Sequence, residues 1–305
     1  MSTTSFKLND GTSIPWVAWG NGTGQAKKDA IESGKLALAA GLRHIDTAQI
    51  YNNEEETGIA VSQSQVPRSE IYVTSKIGRI AGDTEAVPLD QVRKSVQESL
   101  DRLGTVPDLY LIHNPYVVPE GKLKEFWAIL EDLKDEGKLK SIGVSNFRPQ
   151  DIEAVVEGAR YKPVVNQLEF HPYVLAHLEP LLAIQAKHNI LTTSYGPLTP
   201  LLRHPTGGPL KPILHRISER LSAKYNETID ANAVLLLWLR AKQVVAVTAS
   251  GNAERIKGLA KLYLSEWELE VEEVEEIDRV GKTIHFRHYT EHMENDFPLP
   301  DLPSQ

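Results

Sequence analysis

The chain contains no cysteine. That absence excludes a disulfide framework and a thiolate metal site, and it fits the cytosol. An excess of positive charge is absent too. The 33 Lys and Arg are outnumbered by 41 Asp and Glu, the formal net charge is −8, and no run of Lys or Arg occurs. A mildly acidic chain of this kind is a poor candidate for a nucleic-acid binder. Long apolar runs are missing as well. The most apolar helical stretch, Ala231 to Leu239, is too short to cross a bilayer, and Met1 to Asp10 hold no apolar segment of the signal-peptide kind. There is no internal repeat, low-complexity tract or linker. These lacks lead to the expectation of one cytoplasmic domain over residues 1–305, with no membrane, no nucleic acid and no obligate protein partner. Nothing demands more than a monomer.

What is present is a regular alternation. Phe6-Lys7-Leu8 and Ile14-Pro15-Trp16 flank Asn9-Asp10-Gly11-Thr12, the pattern of a β-hairpin with an Asp-Gly turn. Val17-Ala18-Trp19 reads as a first parallel strand. The loop after it, Gly20-Asn21-Gly22-Thr23-Gly24, is of a kind that can cradle phosphates, but a dinucleotide fingerprint also needs a specific spacing and a later acid, so it reads first as a flexible loop giving close access to a site. Helical stripes and short strands then succeed one another: a helix over about Lys27 to Ala40, a strand to Asp46, a helix over Glu54 to Gln63, a strand Ile71 to Lys76. The stripe Val92, Val96, Leu100, Leu103 precedes a strand Leu109 to His113. Further strands are expected at Ser141–Val144, Pro163–Gln167, Ile190–Ser194 and Val244–Thr248, with a long Pro/Gly-rich connection from Pro197 to Pro212. Eight strands, each followed by helix, give the count of a (β/α)₈ TIM barrel, with a doubly wound open sheet as the alternative. An extra helix follows near Leu269 to Val280. The tail beyond it, with His285, His288, Tyr289 and His292, is either a disordered end or a loop folding over the barrel mouth.

Three strands end on residues that carry chemistry. The second ends at Asp46, with Tyr51 five positions on; the third ends at Lys76; the fourth ends at His113. In parallel α/β folds, residues beyond the carboxyl ends of the strands share one face, where sites form. Each residue has a plainer reading: Asp46 as a turn or cap, Lys76 with Asp46 as a structural ion pair, His113 as a core histidine. Together they suggest more. A phenol is a feeble acid with a pKa of about 10, which an adjacent cation lowers. Lys76 supplies the cation and Asp46 the anion that keeps a buried lysine charged. His113 can hydrogen-bond to the same substrate oxygen. Such a set suits a reaction in which negative charge grows on oxygen, such as carbonyl reduction. A metal site is disfavoured, because Lys76 would repel the cation.

These residues also carry a resemblance. His44-Ile45-Asp46-Thr47-Ala48 with Tyr51, Thr74-Ser75-Lys76, Leu111-Ile112-His113, Gly143-Val144-Ser145-Asn146-Phe147, Val165-Asn166-Gln167-Leu168-Glu169 and Tyr195-Gly196-Pro197-Leu198 together resemble the aldo-keto reductases. The resemblance implies a (β/α)₈ barrel closed at the bottom by the hairpin, and reduction of aldehydes and ketones with NADPH, NADH being possible. It implies a catalytic tetrad of Asp46, Tyr51, Lys76 and His113, with Tyr51 as the acid. It puts the nicotinamide carboxamide on Ser145, Asn146 and Gln167, its ring on Tyr195, and the rest of the cofactor along Pro197, Leu198, Thr248, Ser250 and Arg255. The family usually reads Pro-Lys-Ser in the adenosine-phosphate segment, whereas here it is Thr248-Ala249-Ser250, so one cation is lost and Arg255 is kept. The Thr-x-Ser segment, the Gly20-to-Thr23 loop and Asn114 resemble a fungal branch that includes conjugated polyketone and α-keto amide reductases. Trp19 and Asn114 are expected to line the substrate pocket. Asn114 and Gly78 stand where many members have tryptophan, which implies an open, polar pocket for α-keto or dicarbonyl compounds. Two other functions remain in play: a cofactor-binding regulatory subunit with slow turnover, and a lyase or hydrolase forming a Schiff base on Lys76.

Overall fold

The computed structural model describes residues 5–78, 85–290 and 293–305; His292 of the tail lies outside them. Eight parallel strands close into a barrel. They are β3 (Val17–Gly20), β4 (His44–Asp46), β5 (Tyr72–Ile77), β6 (Leu109–Ile112), β7 (Ser141–Ser145), β8 (Val165–Glu169), β9 (Leu191–Tyr195) and β10 (Val245–Thr248), and β10 pairs with both β9 and β3. The open-sheet alternative is thereby excluded. The hairpin forms from β1 (Ser5–Lys7) and β2 (Ser13–Pro15). It lies across the amino ends of the strands. Asn9 donates to the Pro163 carbonyl at 2.9 Å, Ser141 donates to Asp10 at 2.7 Å, and His44 Nδ1 lies 3.3 Å from the Pro15 carbonyl.

Why these strands are buried follows from their sequences. They are short, apolar in β3, β6 and β10 and mixed with polar residues in the others, covered by helices outside and filled by side chains inside, and β3, β6, β7 and β8 are buried at every position. The two-residue strand period decides which side chain faces which layer. On β5, Thr74 meets His44 inside the barrel at 2.8 Å, and Lys76, two residues on, meets Asp46 inside at 2.6 Å. Ser75, between them, faces out and donates to Glu54 of the helix Glu54–Ser62 at 2.5 Å. The same alternation turns Trp19 outward.

Several element boundaries differ from the sequence expectation. The helix expected from Lys27 to Ala40 is two, Gly24–Lys28 and Ala30–Ala39, because Asp29 leaves helical geometry at φ −131°. The sixth barrel strand lies two residues later than expected, at Val165–Glu169; Pro163 has no N–H to offer a ladder. The Pro197–Pro212 connection contains a short helix, Thr199–Leu202, and ends at the helix Leu210–Tyr225. His113 falls one residue past β6. The last helix is Val271–Gly281, and the tail after it folds back over the barrel mouth, where the Phe286 N–H donates to the Tyr173 carbonyl at 3.1 Å.

Buried His44 sets an acid limit on stability. Burial, against the weaker pull of Asp46, lowers its pKa from 6.5 to about 4. The folded chain therefore resists protonation there while the unfolded chain does not. The stabilising contribution is fully present above pH 6.5 and is lost as pH falls through about 4. Full loss corresponds to roughly 3 kcal/mol. Urea denaturation should show stability dropping across that window, and His44→Gln should flatten the drop; an unchanged slope in the variant would refute the assignment to His44.

Candidate active site

At the carboxyl ends of the strands lies a cavity of about 420 Å³. A second depression, of about 560 Å³, lies at the hairpin end, lined by Ser5, Phe6 and Leu237 among others, far from the residues singled out above. Asp46, Tyr51, His113 and Asn114 line the first, and Lys76 lies fully buried beneath it.

The site is built from the strand ends upward. Lys76 Nζ donates to Asp46 Oδ1 at 2.6 Å and to the Thr47 carbonyl at 2.9 Å. The second Asp46 oxygen accepts from Gln167 Nε2 at 2.9 Å, so the carboxylate is held from two strands. Tyr51 ends a short helical turn, Gln49–Tyr51, and Asn52 follows in the left-handed region at φ 57°. Gln49 pins that turn to β5 by accepting from the Gly78 N–H at 2.9 Å. The Tyr51 ring comes to rest with Lys76 Nζ 5.1 Å from its centroid and with the His113 ring edge-on at 5.6 Å. Gly22 completes the fit, because a Cβ there would come within 2.7 Å of the Tyr51 ring. The Gly-rich loop therefore packs against the phenol, and close access is what its glycines provide.

Electrostatics assign the protons. Burial opposes charge on Lys76, but Asp46 and the Tyr51 oxygen more than offset it, so its pKa is raised and the ammonium form persists. Burial also raises the Tyr51 pKa, and Lys76 is the largest influence pulling it back. The net rise corrects the expectation of an acidified phenol. In the free chain the phenol is a weaker acid than usual and stays protonated, with the Lys76 ammonium beside it.

The other expected residues divide. Ser145, Asn146, Gln167, Tyr195, Pro197, Leu198 and Thr248 line the cavity. Tyr195 donates to Asn146 Oδ1 at 2.7 Å, Asn146 Nδ2 donates to the His113 carbonyl at 3.0 Å, and the Ser145 hydroxyl donates to the Gln167 carbonyl at 2.9 Å. Asn146 holds this place at φ 59°, a left-handed conformation that asparagine tolerates better than most residues. Ser250 and Arg255 stand outside the cavity lining, past its Thr248–Ala249 edge. Asn252 caps the helix Ala253–Leu264 there by accepting from the Arg255 N–H at 3.1 Å, and the Arg255 side chain is exposed with no carboxylate at ion-pair distance among the described residues. Trp19 does not line the pocket. Its ring is fully buried between β3 and the helices, where Cβ atoms built on Gly34 would touch it at 3.3 Å, and its Nε1 donates to the Ser250 carbonyl at 2.8 Å. The strand period turns it to the outer layer.

Residues that no role was assigned to from the sequence also shape the cavity. Thr23, Arg203 and Tyr289 line it, and Glu169 holds the tail against it. Glu169 ends a quoted motif, and Tyr289 lies in the aromatic, histidine-bearing tail; only those signals pointed toward them.

The model of the aldo/keto reductase family matches residues 16–282 of this sequence. The chain belongs to the aldo/keto reductase family. Membership makes it an oxidoreductase of the nicotinamide-dependent, carbonyl-reducing kind. Among relatives of this reductase, an NAD/NADP-dependent indole-3-acetaldehyde reductase of Schizosaccharomyces pombe is 35% identical over 294 residues, covering 93% of this chain and 98% of that one. An NADPH-dependent alpha-keto amide reductase of Saccharomyces cerevisiae is 34% identical, covering 90% of each. The structure of a Bombyx mori aldo-keto reductase in complex with NADP matches with a TM-score of 0.76 at 33% identity, covering 92% of this chain and 93% of that one. No group of His, Asp or Glu able to hold a metal occurs among the described residues of this reductase, nor does any helix long and apolar enough to cross a membrane.

Proposed function

We propose that the protein reduces aldehydes and ketones, α-keto and dicarbonyl compounds foremost, to alcohols with NADPH, and that Tyr51 donates the proton. The observation that carries this reading is the stack of Asp46, Lys76 and Tyr51, buried at its base and open to a cavity at its top. The donor set fits a nicotinamide dinucleotide. Two amide side chains, a serine hydroxyl and a flat phenol ring line one wall, suited to a carboxamide and its ring. Arg255, a cation with no carboxylate partner among the described residues and beside a helix N-terminus, suits a phosphate at the other end. The bound reduced nicotinamide supplies a hydride to the carbonyl carbon.

The chain's own residues do the rest. Tyr51 and His113 hold the carbonyl oxygen. As negative charge grows there, Tyr51 gives up its proton and an alcohol forms. The phenolate left behind is stabilised by the Lys76 ammonium, which Asp46 and Gln167 keep in place, and a proton from water restores the phenol. A neutral, protonated phenol in the resting site is what a general acid needs. The α-keto preference is supported by Asn114 on the cavity wall, by the small Gly78 beside His113, and by the S. cerevisiae relative's named substrate class.

The test is the absorbance of reduced nicotinamide with a panel of α-keto esters and aldehydes. Oxidation of NADPH with the panel is expected, fastest with α-keto esters; none with either NADPH or NADH would end the reading. Arg255→Ala is expected to weaken NADPH about tenfold and leave NADH nearly unchanged. Equal weakening of both would show that Arg255 does not read the 2′-phosphate.

A further inference from the structure

The cavity mouth is closed on one side by the C-terminal tail, and one buried carboxylate holds that tail. Glu169, the last residue of β8, is fully buried. Its two oxygens accept the His288 and Tyr289 N–H groups at 2.8 and 3.0 Å, and the Nε2–H of His171 at 3.1 Å. The Arg287 guanidinium, itself buried, lies 3.5 Å from it and donates to His177 Nδ1 at 3.1 Å. Burial would raise the Glu169 pKa, but His171, Arg287 and the tail amide outweigh it and hold the carboxyl below its usual range. A charged, multiply bonded carboxylate is a firm anchor, and losing its charge would leave the tail amides with a weaker acceptor.

The anchor fixes Tyr289. Its ring stands edge-on to Tyr195 at 5.3 Å and packs on Gly196, where a Cβ would come within 3.1 Å. Beside the Tyr289 phenol lies the guanidinium of Arg203, at the end of the short helix Thr199–Leu202. Among the described residues, Arg203 and Asp46 are the only Lys, Arg, Asp or Glu lining the cavity, and Asp46 is already matched by Lys76. No Asp or Glu among the described residues lies within ion-pair distance of Arg203. A cation facing a cavity with no anion of its own, and backed by a phenol that limits where it can point, is built to receive one. A guanidinium binds a carboxylate or a phosphate through two parallel hydrogen bonds.

We propose that Arg203 is an anion-binding residue of this cavity, and that Glu169 is a positioning residue that sets Arg203 by locking Tyr289 in place. The anion is either a carboxylate next to the carbonyl of the substrate or a phosphate of the cofactor. This rests on the reductase reading above.

Arg203→Met separates the two sources. NADPH affinity is followed by nucleotide fluorescence, and kcat/KM is measured for a 2-oxo acid and for its ethyl ester. A loss of about tenfold in NADPH affinity assigns the anion to the cofactor. A similar loss in kcat/KM on the acid but not the ester, with NADPH affinity kept, assigns it to the substrate. No change in any of the three overturns the proposal. Glu169→Gln, which keeps the shape and removes the charge, is expected to lower the same quantity and to speed hydrogen exchange at residues 287–289. Tyr289→Phe, which keeps the ring, serves as the second variant should Glu169→Gln not fold. Combined with Arg203→Met, either is expected to add no further loss in that quantity; an additive loss would show that Glu169 and Tyr289 do not act through Arg203. A wild-type protein that neither binds nor oxidises NADPH would sink the reductase reading itself, whereas an active wild type with an unaffected Arg203→Met sinks only the anion seat.

Discussion

Tyr51→Phe is expected to lower turnover by about 10²–10⁴-fold while leaving NADPH affinity and thermal stability close to wild type. The phenylalanine keeps the ring that packs against Gly22 and His113 and removes only the hydroxyl. The substrate oxygen then has His113 to hydrogen-bond with but no proton donor backed by an ammonium. Because the resting phenol is held protonated, the loss should fall on kcat more than on KM, since the interaction that matters strengthens as charge develops on the oxygen. Nucleotide fluorescence separates binding from turnover. Turnover at the wild-type rate in this variant would remove Tyr51 from its assigned role.

The second large effect concerns the pair beneath it. Lys76 is fully buried and Asp46 nearly so, and their contact is 2.6 Å. Removing one partner leaves the other charged and uncompensated in the barrel interior, at a cost of about 3–5 kcal/mol. Asp46→Asn should therefore lower the melting temperature by roughly 5–10 °C as well as lowering turnover. Lys76→Met should do the same. The double variant Asp46→Leu with Lys76→Met is the informative one. It replaces both charges with apolar groups and should regain much of the lost stability while staying inactive. A double variant that is both stable and active would show the pair to be structural only. Single variants that melt with the wild type would show that the barrel interior is far more hydrated than its burial indicates.

The difference between these two experiments marks how differently the residues depend on the fold. In the proposed reaction Tyr51 acts through one atom facing a cavity. Asp46 and Lys76 would act through each other, inside the barrel, so that catalysis and stability are expected to be lost together.

Much of this was legible in the chain alone. The two-residue period on each strand, the 3.6-residue period on each helix and the eightfold alternation are local properties, and they were enough for a hairpin and eight strand–helix units, a barrel ahead of an open sheet; that the hairpin caps the barrel came from the family resemblance. The strand-end positions of Asp46, Lys76 and His113 follow from the same periods, because a parallel barrel carries all its strand ends to one face. Other features depend on contacts between residues far apart in sequence. That Trp19 turns outward onto helices, that Gln167 braces Asp46 from across the barrel, and that Glu169 receives amides of residues 288 and 289 are consequences of strand register and of a tail returning over the mouth. The sign of the Tyr51 shift belongs with these. Proximity of a lysine was readable, but the depth of burial that outweighs it was not, since desolvation depends on everything packed around a group and not on its neighbours in the chain. Local periodicity thus determined the scaffold and the face that carries the site. Only the packed structure decided which groups touch, how far water is excluded from them, and therefore where each proton rests.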